Sequence, residues 1–243
     1  MKDYRNSHTS PGYGKKYDIA FAEKRTGFYW QFYEKPFLEK TFAKLSKQRP
    51  GPLLDFACGT GRICSVASQY FSDITGLDIS EEMLEQARSN LPGIRFIKAD
   101  ATRDMIELNR FTIITAFRFI LNAQPELRSE ALTWIYRQLI DDGLLIINNH
   151  LRVESIKGAI TKFLNKAGLS RKNALSDYEF EELLKNHGFK AEKVFSFTLV
   201  PGWHGFPPIN PEKQKRLEKF FSRLPFICNL HEQCIYICRK AKS

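Results

Sequence analysis

Leu53-Leu54-Asp55-Phe56-Ala57-Cys58-Gly59-Thr60-Gly61-Arg62 joins a short apolar run to a pair of closely spaced glycines. The first five residues read as a buried strand, the glycines as a tight turn, and Arg62 as the start of a helix running to about Tyr70. A strand, a glycine turn and a helix in that order mark where an open α/β sheet binds its ligand. Glycines there let the backbone approach a ligand and adopt left-handed turns. The dinucleotide fingerprint G-x-G-x-x-G fails, because Cys64 stands where the third glycine belongs, and a P-loop fails because no Gly-Lys-Ser/Thr follows. Asp55, inside the strand end, narrows the ligand further. A carboxylate beside the loop repels a pyrophosphate and attracts an ammonium or sulfonium group.

Downstream, Ile74–Asp78 reads as a second strand. Ser80 is an N-cap, with Glu81 and Glu82 in the first turn where the helix dipole favours acids, and that helix runs to about Ser89. Ile94–Lys98 and Phe111–Phe117 are further strands, Glu126–Ile140 a helix, and Leu144–Asn148 a fifth strand after the turn Asp141-Asp142-Gly143. Strand and helix alternate, which predicts a parallel sheet with crossover helices. Asp78 ends the second strand, placed to accept both hydroxyls of a ribose. Asp100 ends the third, placed to accept from an exocyclic amine on a base. Three acids at three successive strand ends suit a cationic nucleoside without phosphates.

Residues 1–16 are polar and rich in Gly, Ser and Lys, which predicts a mobile segment. Tyr17 to about Leu45 has a helical pattern, broken near Gly27 and Pro36 and dense in aromatic residues. After the fifth strand the pattern predicts a helix from about Val153 to Asn165. The capping box Ser176-Asp177-Tyr178-Glu179 then opens a helix ending at Gly188. A strand from Phe189 to about Val200, a Gly/Pro-rich loop over 201–208, a helix opened by Asn210-Pro211 and a strand from about Glu232 to Arg239 complete the chain.

The 243 residues, 43% hydrophobic and 26% charged, describe a globular chain of one domain with decoration. No apolar run approaches the ~20 residues that span a bilayer. Basic residues at the N-terminus are followed by no apolar stretch, so no signal peptide is expected. The five cysteines form no C-x-x-C pair, and a reducing cytoplasm suits them. The net charge of +10 divides unevenly: +6 over residues 1–50, −4 over 51–150 and +8 over 151–243. Basic flanks of this kind suit nucleic acid, an anionic headgroup or an acidic small substrate, and equally a solvated basic surface.

The pattern resembles the class I S-adenosylmethionine-dependent methyltransferases. The resemblance rests on five motifs in order: the loop Asp55–Gly61; Gly76-Leu77-Asp78-Ile79-Ser80 with Met83-Leu84; Ala99-Asp100-Ala101; Phe111–Phe117; and Leu139–Leu144. Two positions depart from the family: Ala57 replaces a frequent glycine, and Thr112 replaces a usual acid. The resemblance implies a three-layer, Rossmann-like α/β fold. Its seven-stranded mixed sheet has an antiparallel last strand, under an N-terminal helical cap. Residues 1–50 would form the tail and cap and 51–243 the methyltransferase domain, with 201–228 as a substrate-side loop-helix insert. It also implies S-adenosylmethionine as cofactor, S-adenosylhomocysteine as product and no metal. By the same resemblance Asp55 and Gly61 belong to the cofactor loop, and the backbone at Ala57, Cys58 and Gly59 lines the methionine moiety. Asp78 binds ribose, Ile79 packs on adenine, Asp100 and Ala101 read the adenine edge, and Phe117 flanks the methionine.

The acceptor has to be read from the site. In this family the cover comes from N-terminal helices and inserts after strands five and six. Here those are Phe28–Phe37, with Tyr29 and Tyr33, the strand end Asn148-Asn149-His150, and the loop 203–208 with His204. An aromatic, basic cover suits a small acceptor carrying a sugar ring or an anionic group, methylated on oxygen or nitrogen. His150 is the candidate general base, its ordinary pKa suiting proton removal, or else a strand-end histidine bonded to backbone. His204 is a second candidate. Arg118 binds an anionic acceptor or the cofactor carboxylate, or forms a surface ion pair; Asn122 lies near the same mouth. Asn122-Ala123-Gln124-Pro125 lacks the Asn/Asp-Pro-Pro-aromatic motif of base amino-methyltransferases. Asp141 and Asp142 lie at the wrong end of strand five for metal-assisted catechol chemistry. RNA is the alternative substrate, and a cofactor-binding protein without transferase activity the alternative class.

Overall fold

The structure is a computed structural model. It describes residues 3–241 except positions 9, 24, 105, 107, 109 and 171, and except residues 199–228 apart from 213, 216, 217 and 220. A single 3-10 turn at Tyr4–Asn6 precedes α1 (Tyr13–Glu23), α2 (Arg25–Tyr29), a π-helical turn at Trp30–Glu34 and α3 (Lys35–Gln48). Then follow β1 (Leu53–Phe56), α4 (Arg62–Ala67), β2 (Ile74–Asp78), α5 (Glu81–Asn90), β3 (Arg95–Lys98) and β4 (Phe111–Ala116). The rest comprises α6 (Pro125–Gln138), β5 (Leu139–Asn149), α7 (Ile156–Lys166), α8 (Asp177–Asn186), β6 (Phe189–Phe197) and β7 (Gln233–Lys240).

The strands form one seven-stranded sheet in the order β3-β2-β1-β4-β5-β7-β6. The first five are parallel, while β7 runs antiparallel to both β5 and β6. Every residue of β1 and β4 is buried, as a parallel strand covered on both faces must be. The period-two alternation of side chains divides the core into two. Leu54, Ile114, Leu145, Ile147 and Tyr236 pack with Leu127, Leu132 and Ile135 of α6 and Phe180 and Leu184 of α8. Leu53, Ile113, Leu144, Ile146 and Ile235 face the other way, onto Leu38, Phe42 and Leu45 of α3 and Ile63 and Cys64 of α4. The order reverses between β1 and β4, so their carboxyl ends open a crevice.

Several boundaries differ from the sequence expectation. The described residues between Asp3 and Lys16 are not a free tail: Tyr4 packs against the core and α1 packs on α5, held by ion pairs and backbone contacts described below. Gly27 lies inside α2, and the irregularity comes instead at the π turn Trp30–Glu34. Pro36 sits in the first turn of α3, where its missing N–H costs no helical bond. α4 ends at Ala67, three residues short. β5 begins at Leu139, because Phe111 pairs with Leu139 before the register shifts to Ile113–Leu144. The turn expected at Asp141–Gly143 is therefore a bulge within a strand, with Asp142 at φ +61°. Ser80 and Ser176 cap their helices as the sequence indicates, the latter in a complete capping box. Residues 201–208 and the start of the helix at Asn210-Pro211 lie outside the described residues, as does most of the 201–228 insert.

Candidate active site

The crevice is a cavity of about 600 Å³ at the carboxyl ends of β1, β2, β3 and β4. Its floor is the glycine turn between β1 and α4. Ala57, Gly59 and Gly61 have φ of +55°, +55° and +82°, all in the left-handed region. Two of the three are glycine, for which that region is unstrained; Ala57 is held there at a cost of about 1–2 kcal/mol. Gly61 faces away from the cavity, where a Cβ would meet Leu91 Cδ1 at 3.1 Å. Its smallness lets the loop press onto α5. Gly76 does the same under β3, since a Cβ would lie 2.6 Å from the Phe96 ring and 3.0 Å from Cys58 Sγ.

The three strand-end acids have three different environments. Asp78 faces the cavity, with Oδ2 accepting from Gly59 N–H at 2.8 Å and Oδ1 from Ser80 N–H at 2.9 Å. Burial pushes its pKa up, against the pull of these N–H donors. Each oxygen keeps a lone pair for a ligand. Asp100 also lines the cavity, but Arg5 Nε donates to its Oδ2 at 2.9 Å, and Thr102 N–H and Oγ1 donate to its Oδ1 at 3.0 and 2.6 Å. Asp55 is buried behind the loop and outside the main cavity. Its carboxyl accepts from Thr115 Oγ1 at 2.6 Å and Cys64 Sγ at 3.6 Å, and burial raises its pKa to about 7. The expectation that Asp55 presents its charge to the ligand therefore fails. The side chain is tied down into the sheet, toward a side cavity of about 40 Å³ that it shares with Trp30, Glu34, Arg62 and Arg118.

The mouth beyond β4 and β5 gathers Phe117, Arg118, Asn122 and His150. Arg118 takes φ +55°, its N–H donating to Asn148 Oδ1 at 2.7 Å and its guanidinium to the buried Glu34 at 2.9 Å. Of the alternatives for Arg118, an ion pair is the one formed, in a partly enclosed place rather than on the surface. Asn122 donates its amide to the Arg118 carbonyl. His150 lines the cavity with a buried Nδ1 that has no hydrogen-bond partner. Burial and the cations Arg118, Lys157 and Arg128 push its pKa down to about 3. It is neutral at physiological pH and a far weaker base than an ordinary histidine, which corrects the expectation drawn from its usual pKa.

Tyr29 and Tyr33 do not reach the cavity. Tyr29 is 3% exposed within the core over α3, and Tyr33 stacks on Phe197 with ring centroids 5.4 Å apart. The π turn and α3 rotate these rings onto the sheet. His204 lies outside the described residues. The aromatic cover comes instead from the segment expected to be mobile, with Tyr4, His8 and Tyr13, and from Tyr17 and Phe21 at the start of the segment expected to be helical. Tyr4, His8, Tyr13, Tyr17 and Phe21 roof the cavity, with consecutive ring contacts Tyr4–His8, His8–Tyr13, Tyr13–Tyr17 and Tyr17–Phe21. The roof is fastened by Arg5, whose guanidinium also donates to Thr102 at 2.6 Å and Glu130 at 2.5 Å. Ser80 Oγ donates to the His8 carbonyl at 2.6 Å, and Thr60 Oγ1 to Asp18 at 2.5 Å. The four-residue spacing of Tyr13, Tyr17 and Phe21 is a sequence signal for one helix face. Phe119, Leu127, Arg62 and Lys16 are among the further lining residues that sequence reasoning left out. Among the described residues, no group of three or more His, Cys, Asp or Glu is placed to hold a metal ion.

Residues 53–143 match the family described as a methyltransferase domain. The chain is 30% identical over 177 residues to the ubiquinone/menaquinone biosynthesis C-methyltransferase UbiE of Campylobacter jejuni, covering 60% of this chain and 74% of that one. A trans-aconitate 2-methyltransferase of Sinorhizobium medicae is 40% identical over 60 residues, 24% of this chain and 23% of the relative. Among solved structures, magnesium protoporphyrin IX methyltransferase from Synechocystis, with S-adenosylhomocysteine bound, superposes at TM-score 0.58 and 11% identity. That match covers 94% of this chain and 99% of the other. The chain belongs to the class I, Rossmann-like S-adenosylmethionine-dependent methyltransferases. S-adenosylmethionine is its cofactor and methyl transfer its reaction class. Among the described residues no helix is long and apolar enough to cross a membrane.

Proposed function

We propose that this methyltransferase acts on an oxygen or nitrogen of a small acceptor that carries an anionic group or a sugar ring. The observation that carries the reading is the roof. The cavity is covered by Tyr4, His8, Tyr13, Tyr17 and Phe21, which leaves a chamber of about 600 Å³ within the ~300–1,000 Å³ typical of small-molecule sites. A polymer would have to displace that cover to present one of its bases.

Bound S-adenosylmethionine supplies an electrophilic methyl group on a sulfonium. The chain's own residues fit that group. Asp78 keeps acceptor capacity on both oxygens for a ribose diol, and Ile79, Met83 and Ala101 offer an apolar slot for a planar base. The turn backbone at Ala57, Cys58 and Gly59 and the ring of Phe117 lie toward the methionine side. Asp100 retains a role at the base edge with Arg5 bound to it, because a carboxylate oxygen accepts more than one donor. The acceptor would enter beside Arg118, Asn122 and His150. There neutral His150 orients a hydroxyl or amine by accepting its proton in a hydrogen bond, and positioning in a dry chamber supplies much of the acceleration.

The reading is tested by incubating the protein with S-adenosylmethionine and panels of small carboxylates, hydroxylated aromatics, sugars and bulk RNA, following S-adenosylhomocysteine release. Turnover with a small molecule and none with RNA is expected. RNA-dependent turnover that collapses with added salt would move the assignment to nucleic acid. Carbon methylation is a second reading, favoured by the relative named a C-methyltransferase. Carbon-13 labelling of the transferred methyl group separates the two by chemical shift.

A further inference from the structure

Arg62, the first residue of α4, has an environment that the cofactor loop does not by itself explain. Its guanidinium lies 3.5 Å from the centroid of Phe21, 5.2 Å from that of Tyr17 and 6.0 Å from that of Trp30. All three rings come from the N-terminal helical segment. The favourable ring faces hold the cation in place without neutralising it. Nη2 reaches the Tyr17 hydroxyl at 3.4 Å, whereas Nη1 is buried and has no hydrogen-bond partner. Among the described residues, no carboxylate lies within ion-pair distance of Arg62. The two nearby acids are engaged elsewhere: Glu34 is paired with Arg118, and Asp55 is bonded to Thr115. A guanidinium N–H removed from water and left unsatisfied carries a desolvation penalty that a bound anion would remove.

Its position says which anion. Arg62 lines both the main cavity and the small side cavity behind the turn, with Ala57, Cys58 and Phe117 at both. That is the end remote from Asp100. Phosphate is disfavoured here: Asp55 lies in the same side cavity, and among the described residues lining it the other cation, Arg118, is already paired with Glu34. A single carboxylate, met by one planar guanidinium fork, fits the charge and the volume.

We propose that Arg62, caged by Phe21, Tyr17 and Trp30, is the carboxylate-binding residue of the site, a role that Arg118 is too fully paired to fill. Resting on the methyltransferase reading, this assigns Arg62 to a carboxylate with two possible sources: the amino-acid end of the cofactor, or the acceptor. Two of the rings that fix Arg62, Phe21 and Tyr17, are part of the roof, so carboxylate binding and roof closure share one residue.

Calorimetry tests this on the full chain. S-adenosylhomocysteine carries the carboxylate, and 5′-methylthioadenosine shares its nucleoside but lacks the amino-acid end. Arg62→Gln and Arg62→Lys are compared with the parent, each first checked for a native melting transition. A roughly 10–100-fold loss of S-adenosylhomocysteine affinity in Arg62→Gln, with methylthioadenosine within twofold, is expected if the cofactor supplies the carboxylate. Arg62→Lys, a point charge without the fork, should fall between. If S-adenosylhomocysteine is also within twofold, the loaded protein is titrated with citrate as carboxylate probe. Loss of citrate binding in Arg62→Gln assigns the residue to the acceptor. Both ligands weakened equally, or neither ligand nor citrate affected, overturns the proposal. Should the parent protein bind neither nucleoside, the methyltransferase reading itself has failed, a result distinct from all of these.

Discussion

Gly14→Ala probes the roof without touching a cavity-lining side chain. Gly14 lies in the first turn of α1, and a Cβ there would sit 2.3 Å from the carbonyl oxygen of Glu82 and 3.0 Å from Gln86 Cβ. Ordinary contact begins near 3.4 Å, so α1 must withdraw from α5 by about 1 Å. Overpacking of that kind costs about 1–3 kcal/mol, and alanine returns about 1 kcal/mol through helix propensity. Roughly 0–2 kcal/mol then falls on the docking of α1, which carries Tyr13, Tyr17 and Phe21 over the cavity. The sheet is untouched, so the main thermal transition should move by no more than a few degrees. Calorimetry should show S-adenosylhomocysteine bound up to about 30-fold more weakly, and limited proteolysis should cut faster within α1. Unchanged affinity together with unchanged cleavage would refute the claim that docked α1 closes the site.

Asp78→Ala should weaken S-adenosylhomocysteine about 10–100-fold, since two ligand hydroxyls lose a charged acceptor and the Gly59 and Ser80 N–H groups lose theirs; affinity within twofold of the parent would remove the ribose assignment. Asp55 titrates near 7 in the fold against an ordinary 3.8, so the folded state holds a proton that the unfolded chain has released. Its contribution to stability should therefore decline as pH rises from about 4 to 7, and Asp55→Asn should abolish that decline in denaturant titrations across the range. A parent-minus-variant difference that does not vary with pH would contradict it. Gly76→Ala places a Cβ 2.6 Å from the Phe96 ring inside the sheet and should cost about 1–3 kcal/mol, read as a lowered denaturation midpoint. An unchanged midpoint would mean that β3 shifts freely.

The alternation of strands and helices between Leu53 and Asn149 was legible because each apolar run is bounded by turn residues and each helix has a cap. The site acids were legible only as positions. Asp55, Asp78 and Asp100 all end strands, but Thr115, the Gly59 N–H and Arg5 give them unlike environments, and these partners come from remote parts of the chain. The roof was missed because residues 3–16 read as polar and unstructured. What holds them is long-range, namely Arg5 on Asp100 and Glu130 and the His8 carbonyl on Ser80. Tyr29 and Tyr33 were misassigned because aromatic density alone does not reveal which way a helix face turns. The π turn at Trp30–Glu34 resets that direction, and no residue type announces it.

The most direct test of the account is calorimetric titration of the full chain with S-adenosylhomocysteine. The account predicts saturable binding at one site per chain, weakened by Asp78→Ala. Absence of binding up to millimolar ligand would contradict it, and the glycine turn would then serve another molecule.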